Sequence, residues 1–472
     1  MNIKVLSLIK NFSYTLTSNL VSLTISTLVI LIVPKLIGVE EYGYWQLYIF
    51  YTSYVGFLHF GWNDGIYLRY GGEQYENLNK DLFFSQFIML FVFQIAIGIT
   101  VYLISLAYIQ GTNKNFIIQM TSISLVFVNV RCMLLYVLQS TNRIKTYARI
   151  TIFDRVLYAL LIVFMLLFGV RDFKLMIIAD LAGKSLSLAY AMVSCRDMVF
   201  RKISDLYFSL NETIENISVG IKLMFANIAS MLIIGIIRFG IERTWDVTTF
   251  GKVSLTLSIS NLMMIFINAI GIILFPVLRR TDKQRLSGIY CAMRDFLMVI
   301  LLGLLLLYYP LKLAMAIWLP QYAQSLIYMA LVFPVFIYDG KMALLINTYL
   351  KTLRKEKTML KLNMVMMLIS LIITYISTQI FNSLDFTVFS IIMLLATRSA
   401  LAENYLSKEL NISLIKDTFL EFSLTIVFIL SAWFIDSWTT VLVYGLSYIA
   451  YLFIKKNEIS KTISLIKSIT KA

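Results

Sequence analysis

Six cations and five carboxylates in or beside long apolar stretches are the side chains of this chain with the types and spacing to do chemistry. Arg131, Lys184, Lys341 and Arg398 fall near the middle of apolar segments, and Arg69 and Arg238 fall towards segment ends. A charge at the centre of a bilayer costs at least about 2.5–3.5 kcal/mol, so it faces a partner or a water-filled cavity. Four central cations at similar depth on even-numbered segments are what a positively charged cavity would present. In a narrow, low-dielectric cavity such charge favours a phosphate-type anion far more than it does in water. The competing reading is that each cation is neutralised locally and only staples helices together. Asp180 and Lys184 have the i,i+4 spacing of an ion pair. Arg131 and Arg398 have no carboxylate at i±3 or i±4, which ranks them first as cavity cations. Asp64, Asp154, Asp180 and Asp339 are the carboxylates available to a coupling ion, although Asp154 and Arg155 could equally reach an interface by snorkelling. Arg238 with Glu242, and Arg243 with Asp246, crowd one end of the seventh segment, where they either gate a mouth or solvate a helix end.

Other chemistry is scarce. The chain has one histidine, His59, inside the second segment, where a hydrogen-bonded structural role outranks catalysis. No Walker-type loop is present. Three widely spaced cysteines (Cys132, Cys195, Cys291) form no metal motif and no disulfide framework. The Gly71-Gly72 pair and Gly38/Gly43 read as turn and packing devices rather than phosphate cradles. The expectation is therefore a non-enzymatic protein with no catalytic residues, no metal and no cofactor.

The elements that must position these charges are membrane helices. The chain is 59% hydrophobic and 14% charged over 472 residues, with a mean hydropathy of +0.81. About 20 apolar residues span the hydrocarbon core. Fourteen such segments follow: Phe12–Pro34, Gly43–Tyr70, Leu82–Tyr108, Phe116–Ser140, Ala148–Gly169, Phe173–Cys195, Ile217–Gly240, Val247–Leu278, Ile289–Leu319, Tyr322–Leu350, Lys357–Ile380, Leu384–Lys408, Leu414–Phe434 and Trp438–Ile454. The predicted fold class is all-α, a polytopic membrane protein. The net charge of +15 sits in alternate loops, including Lys4 and Lys10, Arg143 to Arg149, Arg279 to Arg285, Lys351 to Lys357 and Lys455 to Lys471. This is the positive-inside pattern, with both termini cytoplasmic, and it leaves no basic stripe for nucleic acid. The N-terminal run has no small-residue cleavage site and reads as an uncleaved first helix.

A shift of about 208 residues lays Asn19-Leu-Val-Ser22 on Asn227-Ile-Ala-Ser230 and Tyr42-Gly43 on Phe250-Gly251. An offset of six helices preserves orientation, so the repeat is parallel. The expected organisation is a six-helix lobe over residues 1–210, a second over 211–410, a central cavity, and an extra helix pair with a basic tail over 411–472.

Several segments in order resemble the polysaccharide-transport (oligosaccharide flippase) branch of the multidrug/oligosaccharidyl-lipid/polysaccharide exporter superfamily. They are Pro34-Lys-Leu-Ile-Gly38 with Tyr42-Gly43-Tyr-Trp45, Phe60-Gly61 through Gly72, Gln139-Ser-Thr-Asn-Arg143, Gly220 through Asn227 with Arg238-Phe239, Phe250-Gly251, Phe275-Pro276-Val-Leu278 and Tyr338-Asp-Gly-Lys341. The resemblance covers the first to the twelfth segment. The additional pair is similar to that of the lipid II flippase branch, where such helices form a lipid-facing groove.

The resemblance implies a flippase that moves an undecaprenyl-pyrophosphate-linked oligosaccharide, an O-antigen or capsular precursor, from the cytoplasmic to the outer leaflet of a bacterial inner membrane. The implied mechanism is alternating access. The implied partners are the lipid-linked oligosaccharide, membrane lipids, a polysaccharide polymerase and a chain-length regulator. An inside-negative potential would favour outward movement of an anion by about 2.3 kcal/mol per charge per 100 mV. Two alternatives stay open: a cation-coupled multidrug exporter of the same superfamily, whose cavity should favour acidic and aromatic lining, and a membrane polymerase or ligase, which should need a large outer loop.

Overall fold

The structure is a computed structural model that describes residues 3–264 and 286–461, with side chains from residue 13 onward except at 15 and 16. The side chains of Lys4 and Lys10, the segment Phe275-Pro276-Val-Leu278, and Arg279, Arg280, Lys283, Arg285, Lys467 and Lys471 lie outside the described residues. The described chain is all-helical, as its composition predicts.

Chain contacts divide it into two compact units, Met1–Ile228 and Ala229–Ala472. In the first unit the helices are α1 (Ile3–Leu36), α2 (Val39–Thr52), α3 (Trp62–Arg69), α4 (Lys80–Tyr108), α5 (Thr112–Ser140), α6 (Ile144–Leu167), α7 (Phe173–Ser194), the single turn α8 (Arg196–Val199) and the start of α9 (Leu210–Thr244). The second unit holds the rest of α9, then α10 (Val247–Asn261), α11 (Leu286–Leu304), α12 (Tyr308–Trp318), α13 (Met329–Val332), α14 (Val335–Lys341), α15 (Asn347–Thr352), α16 (Glu356–Tyr375), α17 (Leu384–Glu409), α18 (Ile415–Phe434) and α19 (Thr439–Ile454).

Among the described residues ten helical stretches are long and apolar enough to cross a membrane, or eleven when the bent path Pro320–Val332 and Val335–Thr352 is taken as one span. These eleven coincide with eleven of the fourteen expected segments. Of the other three, the fourteenth is the 16-residue α19, and the eighth is described only as far as residue 264. The second is a correction: Gly43–Tyr70 is not one helix. It runs as α2, a 3₁₀ turn Val55–His59, and α3, broken where Phe60 and Gly61 take φ of 52° and 83°. The tenth is likewise interrupted, with a 41° bend.

Burial shows which helices form the centre of each unit. In the first, half of the apolar window of α5 and of α7 is buried, against 11% for α1 and 17% for α6. Helix α5 packs on α2, α3, α4, α6 and α7. Its inward face of Val130, Met133, Leu134, Val137 and Leu138 shares one core with Trp62, Ile66, Phe83, Phe87 and Leu90. In the second unit α17 has 56% of its window buried and packs on α14, α16 and α18. The outward faces of the less buried helices keep large apolar side chains such as Leu160, Phe164 and Leu446 exposed, which suits hydrocarbon rather than water.

Side chains anchor the ends and the breaks. Asn79, Asp172, Asp246 and Ser383 cap α4, α7, α10 and α17 by accepting from the backbone N–H of the second or third helical residue. The carbonyls freed by the break in the second segment are satisfied from neighbouring helices. Asn129 Nδ2 donates to Val55 O at 3.0 Å, and Gln94 Nε2 donates to Leu58 O at 3.2 Å. Below the break, α3 and α9 meet backbone to backbone. A Cβ on Gly61, Gly65 or Gly220 would overlap main-chain atoms of the opposite helix, so only glycine permits this approach. At the same end of the unit, the Tyr75 ring lies between Lys80 Nζ at 3.6 Å and Arg143 Cζ at 3.7 Å from its centroid, while its hydroxyl donates to Asp197 at 2.7 Å.

Candidate functional site

The charged residues picked from the sequence fall into separate groups. In the first unit, a polar seam runs between α5 and α7. Ser124 and Arg131 are seven residues apart on one face of α5, and Asp180, Lys184 and Ser187 line the facing side of α7. Lys184 Nζ is 2.5 Å from Asp180, 3.2 Å from Ser124 Oγ and 3.3 Å from the Tyr48 hydroxyl of α2. That hydroxyl donates to Asp180 at 2.6 Å. Arg131 donates to Ser187 Oγ at 2.8 Å and forms an ion pair with Asp154 of α6. The lack of an in-helix carboxylate for Arg131 therefore did not leave it unpaired, since its partner lies 23 residues away on another helix. The seam holds two cations and two carboxylates and is neutral as a whole.

Arg69 closes the end of α3 against the start of α9. It ion-pairs with Glu212 and with Glu215 at 2.9 Å, donates to Asn216 Oδ1 at 2.6 Å, and is flanked by the Tyr70 hydroxyl donating to Glu212 at 2.8 Å. Asp64, one and a half turns before Arg69 on α3, is buried. Its nearest charged or titratable partner within ion-pair range is His59, at 3.7 Å.

In the second unit, Arg398 of α17 is 4% exposed and donates to Ser230 Oγ at 2.8 Å. No carboxylate lies within 4.0 Å of it among the described residues, and its Nε has no acceptor. Asp339 of α14 is the carboxylate it interacts with electrostatically. Arg238 donates to Ser254 at 3.0 Å and lies over the Phe250 ring at 5.2 Å. Glu242 is paired with Arg243 at 3.5 Å, while Asp246 caps α10.

Lys341 is placed quite differently from Arg398. It belongs to a buried network that the sequence reading missed. Its Nζ contacts Glu403 of α17 and is 2.7 Å from Glu421 of α18. Arg294 of α11, 1% exposed, lies 2.8 Å from Glu403 and also contacts Glu421. Tyr290 and Thr418 donate to Glu403 at 3.0 and 3.2 Å. Beside it, Lys455 at the end of α19 is 2.9 Å from Asp295 and 2.6 Å from Asp417. The network ties α11, α14 and α17 to the C-terminal helices. Arg294, Glu403 and Glu421 carried one signal in the sequence: each is a charge inside an apolar segment, close enough to its end to pass for an interfacial residue.

Chemically, the seam and the network are closed sets of opposite charges. Arg398 differs. A guanidinium offers five donors, one is used on Ser230, and the charge is unmatched at ion-pair distance. A phosphate-type oxygen is a ligand that such a group can take bidentately.

No protein-family model and no curated protein sequence matches the chain. Solved structures do match. The lipid II flippase MurJ in an inward closed conformation superposes with a TM-score of 0.64 at 13% identity, covering 95% of this chain and 99% of that one. An inward-facing multidrug resistance MATE family transporter of the MOP superfamily gives 0.61 at 12% identity, covering 83% and 98%. A MATE protein in the straight conformation gives 0.53 at 12% identity, covering 86% and 96%. With its apolar spans, the chain is a multi-pass membrane protein with the fold of MOP superfamily transporters.

Proposed function

We propose that this protein is a transporter that flips a lipid-linked oligosaccharide, with undecaprenyl pyrophosphate as the lipid carrier, from the cytoplasmic to the outer leaflet of a bacterial inner membrane. The observation that carries the reading is the extent of the likeness to the lipid II flippase. It leaves only about 24 residues of this chain unmatched, fewer than the 40 of Ile415–Ile454, so it must include part of the C-terminal helix pair. The likeness to the inward-facing drug exporter leaves about 80 residues unmatched. The buried network of Arg294, Lys341, Glu403 and Glu421 adds weight, because it builds that pair into the second unit rather than leaving it an appendage.

Arg398 is the position we assign to the anionic head of the substrate in the second unit. Arg131 and Lys184 of the seam are the corresponding cations of the first, released to the substrate when Asp154 and Asp180 exchange partners. Arg69 and Arg238 stand at helix ends, where they would meet the substrate on entry or exit. Termini on the cytoplasmic side, and a polymerase and chain-length regulator as downstream partners, belong to the same proposal.

The test is reconstitution. Vesicles carrying an undecaprenyl-pyrophosphate oligosaccharide are treated with a membrane-impermeant sugar oxidant, with and without the purified chain. Oxidation of both leaflets only when the protein is present supports the proposal. Oxidation confined to one leaflet, together with protein-dependent efflux of an organic cation, would favour the drug exporter.

A further inference from the structure

We propose that His59 and Asp64 form a proton-binding site within the first unit, at which the transporter takes up its coupling ion. The inference rests on the transporter reading and names the ion and the residues.

Asp64 is 5% exposed and His59 4% exposed, on either side of the break in the second segment. A carboxylate buried without a balancing cation is costly, and binding a cation or a proton restores neutrality. Among the described residues no Lys or Arg lies within 4.0 Å of the Asp64 carboxylate, which has a backbone N–H in the first turn of α3 as its donor. Helix α5 brings the Cys132 thiol and Tyr136 phenol towards Asp64. Helix α4 brings the neutral amides Gln86 and Gln94, and α9 brings the backbone of Asn216 and Gly220. Of the cations on the helices packed here, Arg131 is paired with Asp154, Arg69 with Glu212 and Glu215, and Lys80 with Asp197, while Lys222 of α9 is exposed.

The geometry favours a proton over a metal ion. His59 Nδ1 accepts from the Gly61 N–H at 3.1 Å, which leaves the ring hydrogen on Nε2, 3.7 Å from Asp64 Oδ2. With Nδ1 accepting from the backbone and Nε2 carrying the hydrogen, His59 has no lone pair left for a metal ion, and no group of three His, Cys, Asp or Glu side chains that could hold one occurs among the described residues. Two fully buried amide oxygens close to this turn, Asn63 Oδ1 and Asn129 Oδ1, have no donor among the described residues. Acceptors without a donor suit a neighbouring acid O–H better than a carboxylate. The step is simple: one proton from solution forms an O–H bond on the Asp64 carboxylate, the charge there goes from −1 to zero, and His59 stays neutral.

The site is also placed to report its state. The backbone of Asp64 touches α9 at Gly220, between the two glycines Gly61 and Gly65 that let α3 approach. Helix α9 continues without a break to Thr244, so a change in α3 acts on an element that reaches the second unit.

The experiment is infrared difference spectroscopy of the purified full chain between about pH 8 and about pH 5, with no substrate present. Wild type should show a protonated-carboxyl C=O band that is lost in Asp64→Asn and shifted in frequency in His59→Gln. A purely structural Asp64 would give no such band. The band surviving in Asp64→Asn, or unmoved in His59→Gln, overturns the proposal, as does its suppression by sodium in place of potassium, which would show a metal site. If Asp64→Asn fails to fold, the His59→Gln shift decides alone. Because the readout needs no transport, a missing band with intact flipping contradicts the site only, and lost flipping with the band present contradicts the transport reading only.

Discussion

Lys341 of α14 bridges Glu403 of α17 and Glu421 of α18, with all three side chains almost fully buried. Glu403 and Glu421 also share Arg294, so the four charges close into a neutral ring. Removing one member leaves a buried charge uncompensated, at a cost of about 3–5 kcal/mol. Lys341→Met should therefore lower the thermal stability of the detergent-solubilised protein sharply. Lys341→Met combined with Glu421→Gln should recover much of that loss, because the remaining Arg294–Glu403 pair is balanced. Equal stability of the single and double variants would show that the ring is not what holds α18.

Gly65 stands where α3 presses on α9, and a methyl group there would run into the Asn216 carbonyl oxygen. Gly65→Ala should cost about 3 kcal/mol, the upper end for overpacking, because the clash is with backbone. Gly56→Ala meets nothing within 4 Å and is the matched control. Monodispersity and melting temperature of the two variants check this. Matching behaviour would mean that α3 and α9 tolerate separation.

Among the described residues Arg398 has one side-chain hydrogen bond, to Ser230, and no carboxylate at ion-pair distance. Arg398→Ala should reduce flipping at least about tenfold, the equivalent of roughly 1.4 kcal/mol of lost anion binding, with little effect on folding. Ser230→Ala should retain most activity. Full flipping by Arg398→Ala removes Arg398 from the substrate path.

Asp246 lies outside the spans and accepts from Thr249 N–H at 2.6 Å, and that bond holds its carboxyl below the usual value of 3.8. The folded state therefore binds its proton more weakly than the unfolded state. The stabilisation is complete above the unfolded value and lost as pH falls below it. Amide protection in the first turn of α10, taken relative to the intrinsic exchange rate, should fall below about pH 4 in wild type. In Asp246→Asn, whose amide still caps, the protection should lack that pH-dependent fall.

The spans were legible because apolar length is a strong signal. The break at Phe60 and Gly61 was not, since a 28-residue apolar run reads equally well as one tilted helix, and only the positive φ of both residues reveals the turn. The same limit applies to the site. Asp180 and Lys184 were found because their spacing is local. Arg131 with Asp154, and Arg294 with Glu403 and Glu421, pair between helices, where spacing along the chain carries no information. Arg398 stood out in the sequence for lacking a local carboxylate, and none of the described residues provides one at ion-pair distance.

The most direct test of the central claim is made in the host cell. The gene is deleted, and the leaflet that holds the undecaprenyl-linked oligosaccharide is determined with an impermeant sugar-binding probe. The account predicts loss of surface polysaccharide and accumulation on the cytoplasmic leaflet, reversed by wild type and not by Arg398→Ala. Accumulation on the outer leaflet, or unchanged surface glycan, would contradict it.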